Sequence, residues 1–260
     1  AGARCLPIWQ STGTGGIAAP LLSRAMSRGV LIASLALALA PASAGAASPD
    51  SVRLSDERTL SRWAHAGQNA VVRSEPEDGA SRVGRLRYFT EDGYPEVYLL
   101  LRRTRDADGD MWVQLRLPQR PNGITGWVRR ESLGSYHRTE QRLVVDRQTF
   151  RARLYERGRV VWRARVGVGA VGTKTPPGDF WIREKLRFKN APLYGTRALG
   201  TAAYAPTLSD WPGGGVVGMH GTGEPWLIPG RPSHGCIRVR NEDIERLFRI
   251  VEVGAPLTIV

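Results

Sequence analysis

Two side chains with complementary chemistry lie close together in this 260-residue sequence. Cys236 ends the run Ser233-His234-Gly235-Cys236, and His220 lies upstream in Met219-His220-Gly221-Thr222. A thiol becomes a nucleophile when a nearby base takes its proton, and imidazole has a pKa suited to that task near neutral pH. Glycines beside both groups let backbone N–H groups approach a reacting carbonyl closely. The pattern therefore predicts a cysteine nucleophile with a histidine base.

Three other interpretations fit these residues less well. A lone cysteine is most often an inert core residue, but the neighbours of Cys236 favour a nucleophile. A papain-like peptidase places its cysteine before its histidine, whereas here Cys236 follows His220. A structural zinc site needs four ligands in paired spacings, and His65 and His137 lie in other segments. We therefore expect neither a metal nor a cofactor at this site.

Residues 26–46 have the pattern of an export leader. In residues 26–46, Arg28 precedes an apolar run that ends in small residues suited to signal-peptide cleavage. The run is about half the roughly 20 residues that a membrane-spanning helix needs, so we expect no stable membrane span after cleavage. Residues 1–25 match no targeting pattern, and our hypothesis is that they are an over-extended N-terminus before Met26. The mature protein is then expected in the periplasm or the cell-wall space, with Cys236 as its lone thiol.

The charge balance indicates the class of partner. The sequence has 37 Lys+Arg against 24 Asp+Glu, a formal net charge of +13. Such a charge favours contact with polyanions, and export argues against nucleic acid. We therefore expect anionic wall polymers as one partner class.

Short strands separated by turns make up most of the remaining chain. Residues 47–66 are expected to be a linker, with a brief helical pattern around residues 60–63. Two blocks of strand-like segments follow, at 67–135 and 141–260. Apolar residues recur at helical spacing only in the segment 241–251. The pattern predicts a mainly β protein with two domains.

Residues 67–135 resemble a bacterial Src-homology-3-like domain. The resemblance rests on the strand around Met111-Trp112-Val113, the turn Asn122-Gly123 and the strand Gly126-Trp127-Val128. It implies a small β-barrel of the kind that accompanies cell-wall enzymes in exported proteins.

Residues 141–260 resemble the L,D-transpeptidase catalytic domain of the YkuD/ErfK type. The resemblance rests on a strand meander, on the segment Thr175-Pro176-Pro177-Gly178-Asp179-Phe180, and on the His-Gly-Thr and Ser-His-Gly-Cys runs. It implies a β-sandwich with one short C-terminal helix. The expected fold is therefore mainly β: a small Src-homology-3-like barrel followed by the transpeptidase sandwich.

The same resemblance implies a role for each residue of the two motifs. Cys236 is expected to form a thioester, and His220 to act as the base, oriented by the Gly221 carbonyl. Backbone N–H groups of His234, Gly235 and Cys236 would form the oxyanion hole, while Ser233 and His234 organise the turn. Contacts to the substrate, or to the loop that holds it, are expected from Arg238, Asn241, Tyr194 and Trp226.

The implied activity is acyl transfer on peptidoglycan stem peptides, giving 3→3 cross-links. The same Cys/His site would also suit an L,D-carboxypeptidase or the attachment of a protein to the wall. A non-catalytic cell-wall-binding protein is the alternative without chemistry. Residues 190–215 are expected to be either a lid over the site or an ordinary surface loop.

Overall fold

Alternating burial explains why most of this chain folds into strands. The computed structural model describes residues 51–189, 191–208 and 212–260. In Gln141–Asp146 every second side chain is buried, as expected for a strand with one face on a core. In Tyr98–Arg105 the first three side chains are all buried, because this strand reaches into the contact between two sheets.

The first sheet contains eight strands in the order β4-β3-β7-β6-β5-β2-β8, with β1 also paired to β5. All its internal pairings are antiparallel, and short connections join β3 to β4, β5 to β6 and β6 to β7. Its strands are β1 Val52–Arg53, β2 Ser61–Ala64, β3 Val71–Arg73, β4 Arg82–Arg85, β5 Tyr98–Arg105, β6 Met111–Arg116, β7 Thr125–Arg129 and β8 His137–Thr139.

The second sheet contains ten strands in the order β11-β10-β9-β18-β13-β14-β15-β17-β12-β16. Most pairings are antiparallel, but β15 and β17 run parallel, which matters for the site described below. Its strands are β9 Gln141–Asp146, β10 Arg151–Glu156, β11 Arg159–Arg165, β12 Gly167–Gly169, β13 Gly178–Arg187, β14 Arg197–Tyr204, β15 Val216–His220, β16 Gly230–Ser233, β17 Ile237–Arg238 and β18 Pro256–Ile259.

A single α-helix occurs in the described part of the chain, α1 at Asn241–Ile250. Its buried side chains, Ile244, Leu247 and Phe248, recur at helical spacing and pack into the core of the second sheet. Short 3-10 turns lie at Arg130–Ser132, Pro212–Gly215 and Pro225–Leu227.

The two sheets share buried contacts. Val97 and Leu99 of the first sheet region belong to the same apolar core as Trp181, and the Trp181 indole N–H donates to the Val97 carbonyl at 2.8 Å. Arg183 and Glu96 form a fully buried ion pair beside this contact. The described residues from 51 onward form one compact unit for this reason.

The structure confirms the mainly β fold with one short helix, and the helix at 241–251 is correct to one residue. The helical pattern around residues 60–63 is wrong, because Ser61–Ala64 is a strand held between β5 and β8. Residues 51–66 of the predicted linker therefore contribute β1 and β2 to the first sheet. The likeness of residues 67–135 to a Src-homology-3-like domain stays a prediction.

Two expectations fall outside the described residues, wholly or in part. The predicted over-extended N-terminus at 1–25 and signal peptide at 26–46 lie outside them, as do residues 190 and 209–211 of the predicted lid or loop. The lid or loop prediction is wrong for Arg197–Tyr204, which is the mostly buried strand β14 paired on both sides. Within the described ranges, no helix combines the length and apolar character needed to cross a membrane.

Candidate active site

The parallel pairing of β15 with β17 brings the two reactive side chains together. Met219 pairs with Ile237, and His220 pairs with Arg238. Cys236 directly precedes this ladder, which puts it beside Gly218, and the Gly218 backbone hydrogen-bonds the thiol. Because Gly218 and His220 are two residues apart on one strand, they face the same side of the sheet. The thiol therefore lies on the face that carries the imidazole, against a residue with no side chain.

His220 is held in one tautomer by its own loop. Its ring is buried, and Nδ1 lies 2.6 Å from the Gly221 carbonyl oxygen. A carbonyl oxygen only accepts, so Nδ1 carries the proton and Nε2 keeps a free lone pair. Burial lowers the pKa of His220 to about 4, since the opposing effect of the Gly221 carbonyl is smaller and the Arg238 charge adds to the lowering. The imidazole is neutral at pH 7 and able to accept a proton through Nε2.

The turn that presents Cys236 is closed by side-chain hydroxyl groups. Ser233 Oγ donates to the Cys236 carbonyl at 2.5 Å and accepts from the Gly235 N–H at 3.2 Å. Thr175 Oγ1 donates to the Gly235 carbonyl at 2.7 Å and accepts from the Gly169 N–H at 2.9 Å. Gly235 has a φ of +128°, which favours glycine. These bonds fix the backbone on both sides of the thiol.

The thiol itself is half-buried and neutral at rest. Burial raises the pKa of Cys236, and this effect exceeds the opposing effects of the Gly218 backbone and of the Arg238 charge. Thiol and imidazole are thus both uncharged near pH 7. A neutral pair of this kind is suited to transferring the thiol proton to His220 as the sulfur attacks, rather than to storing a thiolate.

Arg238 is the cation closest to the reactive pair. Its charge acts on His220, Cys236 and Tyr194. The guanidinium Nη1 donates to Glu224 Oε2 at 2.6 Å. Its buried Nε has no hydrogen-bond partner in the described part of the protein. Arg238 can therefore stabilise negative charge near the thiol while Glu224 holds its outer end.

Asn241, at the start of α1, supports the His-Gly-Thr loop. Its Oδ1 accepts from the Thr222 N–H at 2.9 Å. A Cβ at Gly221 would lie 2.2 Å from this oxygen, and one at Gly195 would lie 2.4 Å from it. Two segments of backbone therefore approach the amide so closely that only glycine fits. Of the two roles expected for Asn241, positioning the loop is the one that these contacts support.

Comparisons with known proteins concern the same part of the chain. Residues 140–259 match the model of the YkuD family, the L,D-transpeptidase catalytic domain. The Bacillus licheniformis protein YkuD, named as an L,D-transpeptidase, is 34% identical over 118 residues, which are 45% of this chain and 64% of that protein.

A second relative, ErfK/SrfK of Escherichia coli K12, is also named as an L,D-transpeptidase. It is 32% identical over 112 residues, covering 36% of each chain. The solved catalytic domain of an Enterococcus faecium L,D-transpeptidase overlays 46% of this chain and 96% of its own, with 25% identity and a TM-score of 0.35. The chain spans less than two thirds of the length of the curated relatives described here.

Two aromatic residues expected to touch substrate differ in what they contact. The Tyr194 ring packs on His220 with centroids 4.8 Å apart, and burial raises the pKa of its hydroxyl. Trp226, in the 3-10 turn that follows Glu224, is 74% exposed. His234 is exposed on the cysteine turn. Tyr194 therefore covers the imidazole, while Trp226 offers a large apolar surface to solvent.

Sequence reasoning missed Thr175 and Glu224. Thr175 lies in the Thr-Pro segment that carried the family resemblance, and its position there was the available signal. Glu224 had no such signal, because an isolated acid in a loop is usually solvated. The described residues also hold no cluster of three or more His, Cys, Asp or Glu side chains arranged to bind a metal ion.

Proposed function

We propose that this protein is an exported cysteine L,D-transpeptidase that forms 3→3 cross-links between peptidoglycan stem peptides. The observation that carries the proposal is the neutral pair of Cys236 and His220, with Nδ1 of the imidazole bonded to the Gly221 carbonyl at 2.6 Å. The names of the relatives support the reaction class.

The reaction has two acyl transfers. Cys236 Sγ attacks the carbonyl carbon of the third stem residue, and His220 Nε2 takes the thiol proton. The bond to the fourth residue breaks, its nitrogen receives that proton from His220, and D-alanine leaves. The thioester is then attacked by the side-chain amine of a second stem peptide. An amide forms, the amine's surplus proton passes to His220, and from there it returns to the sulfur.

Negative charge on the carbonyl oxygen requires nearby donors. The Gly235 N–H donates to Ser233 Oγ, so of the three expected oxyanion donors this one acts chiefly on the turn. The Cys236 and His234 N–H groups stay in the proposal as donors, and the Arg238 charge supports them. Removing one such donor typically slows a reaction of this class about 100- to 1,000-fold.

The competing activities differ only in the acceptor. Water would give an L,D-carboxypeptidase, and a protein amine would give attachment of that protein to the wall. A non-catalytic wall-binding protein would carry out neither transfer. The Cys236 residue is only half-buried, which supports access of an acceptor to the thioester.

The test is mass spectrometry of disaccharide-tetrapeptide muropeptides incubated with the protein and with Cys236→Ala. We expect cross-linked dimer from the unchanged protein and none from the variant. Tripeptide without dimer would identify a carboxypeptidase, and no conversion by either folded sample would overturn the proposed enzyme activity. Incubation with a carbapenem gives a direct control, because acylation of Cys236 adds the mass of the drug to the intact protein.

Export is tested separately by intact-mass measurement of the protein purified from its producing cell. We expect a product that begins after residue 44 or 46. A product that retains residues 1–25 would contradict both the signal peptide and the proposed start at Met26.

A further inference from the structure

The edge hairpin of the second sheet, formed by β10 and β11, carries a compact group of arginines. These arginines are distant in sequence from Cys236. Arg151 pairs directly with Arg165, and Arg153 pairs directly with Arg163. The register is unbroken across this stretch, since its irregularity lies beyond Leu154. We call these four residues the arginine tetrad.

All four guanidinium groups leave the same face of the hairpin. Residues two apart on a strand share a face, as do residues directly opposite each other. The opposite face carries Ala152, Leu154 and Trp162, which are buried in the core. The tetrad therefore projects outward, with its Cβ atoms about 5 Å apart across the strands and about 7 Å apart along them.

The tetrad has few counter-charges. Within the described ranges, none of its members forms a salt bridge, although Arg165 Nη1 donates to the Thr149 carbonyl at 3.1 Å. Like charges directly opposite each other destabilise a strand pair. Two such pairs in succession create a positive potential that the Asp146 carboxylate, which feels the Arg153 charge, balances only in part. An anionic ligand would relieve the remaining repulsion.

Acidic residues limit this positive strip on the side of the next strands. Asp146 of β9 lies opposite Arg151, and Asp179 of β13 is exposed further along the same sheet. Hydrogen bonds from the Thr149 and Gln148 N–H groups lower the pKa of Asp146, so it stays ionised. A broad anionic lipid surface would be repelled by these carboxylates. A narrow polymer lying along β10 and β11 would avoid them.

We propose that the arginine tetrad is a binding site for a linear polymer that carries phosphate groups at short, regular spacing. Guanidinium groups are suited to this ligand because each offers several N–H donors in a planar fork that matches a phosphate. The site lies on the hairpin at the outer edge of the second sheet, and it holds the polymer without taking part in acyl transfer.

The test measures binding of short-chain inorganic polyphosphate over a series of salt concentrations. The variant R151Q/R153Q/R163Q/R165Q is compared with R58Q/R82Q/R85Q/R103Q. The control removes four exposed arginines from the first sheet and its loops, so both variants lose the same charge. We expect the tetrad variant to bind at least about tenfold more weakly, with a salt slope reduced by up to about 3, whereas the control changes by less than about threefold.

Three results would overturn the proposal. Equal losses in the two variants would show that net charge alone attracts the polymer, and no binding by the unchanged protein would remove the site. Tetrad-dependent binding to vesicles containing phosphatidylglycerol, without binding to polyphosphate, would identify a membrane surface instead. Carbapenem acylation of Cys236 should be equal in all three proteins, which shows that each is folded and separates this test from that of the proposed enzyme activity.

Discussion

The titratable groups of one polar region of this protein are charged, whereas those of a second region are neutral. Between the sheets, Arg183 Nε and Nη2 donate to Glu96, and Nη2 also donates to Glu91 at 2.9 Å. Burial alone would raise the pKa of Glu91, but the Arg183 charge and the Tyr204 hydroxyl lower it to about 2. At the active site, burial prevails over weaker partners, and both His220 and Cys236 are neutral.

Glu91 is more exposed than His220, but its partners decide the direction of its shift, because burial alone would raise its pKa. A buried group stays charged when an opposite charge lies within hydrogen-bond distance, and it becomes neutral when its partners are backbone groups. The charged groups between the sheets therefore form a structural ion pair. At the active site, by contrast, the Cys236 thiol keeps its proton until His220 accepts it. The following changes are chosen to break or sharpen this distinction.

The largest expected effect is on catalysis, from His220→Gln. Without the imidazole, no side chain takes the thiol proton, and acylation of Cys236 by a carbapenem should slow about 100- to 10,000-fold. Stopped-flow or mass-spectrometric rates measure this directly. His137→Gln is the matched control, since His137 is exposed on the first sheet. A similar loss in both variants would indicate a general effect on folding.

Breaking the charged pair should affect stability instead. Arg183→Met leaves Glu96 fully buried with only Arg87 beside it, at 2.8 Å. We expect a loss of about 3–5 kcal/mol in the free energy of unfolding, measured by denaturant titration. The double variant Arg183→Met/Glu96→Leu should recover part of this loss, because it removes both charges. A double variant as unstable as the sum of the two single ones would contradict the pairing.

The pH dependence of stability should separate His220 from a buried acid. Because the pKa of His220 is lowered from 6.5 to about 4, the unfolded chain binds more protons between these values. Stability should therefore rise as the pH increases through this window, by up to about 1.4 kcal/mol per pH unit. His220→Gln should flatten this rise.

Glu184 should show the opposite slope. Burial raises the pKa of this carboxyl above 4.5, and the nearby Asp92 charge adds to the effect. The native state then binds more protons above pH 4.5, so this contribution to stability falls as the pH increases. Thermal unfolding of Glu184→Gln across this range should lack that component. Slopes of the same sign for His220 and Glu184 would contradict the account.

The smallest effect is expected at the contact between Asn122, which lies between β6 and β7, and Tyr204, the last residue of β14. Asn122 Nδ2 donates to the Tyr204 carbonyl at 2.8 Å, and Oδ1 accepts from the Tyr204 N–H at 2.9 Å. Ala205 follows, and its Cβ would lie 3.7 Å from a Cβ added at Gly235 of the cysteine turn. Asn122→Ala should destabilise the protein by about 1 kcal/mol and slow acylation only a few-fold. Asn69→Ala is the exposed control.

Local patterns were enough to predict the helix, and they selected the two residues proposed for the chemistry. Cys236 and His220 were found from residue type and spacing, and α1 from apolar residues at helical spacing. The strand at Ser61–Ala64 was missed because a short apolar run has no clear period, and its identity depends on pairing with distant β5 and β8. Tertiary pairing decides such segments.

The partners of the charged groups were beyond local reasoning. Arg183 and Glu96 are 87 positions apart, and neither has a neighbour in sequence that indicates the other. Glu224 and Arg238 meet because the turn after β15 folds back over β17. The neutral state of the catalytic pair follows from burial, which only the three-dimensional arrangement reveals.

The most direct test of the central claim is the ultraviolet absorbance of the Cys236 thiolate as a function of pH, with Cys236→Ala as the blank. The account predicts no thiolate signal at neutral pH and a rise only above the ordinary thiol value of 9.0, because burial raises this pKa. A thiolate signal already complete below about pH 7 would show a stored ion pair of thiolate and imidazolium. That result would contradict the neutral pair on which the proposed mechanism depends.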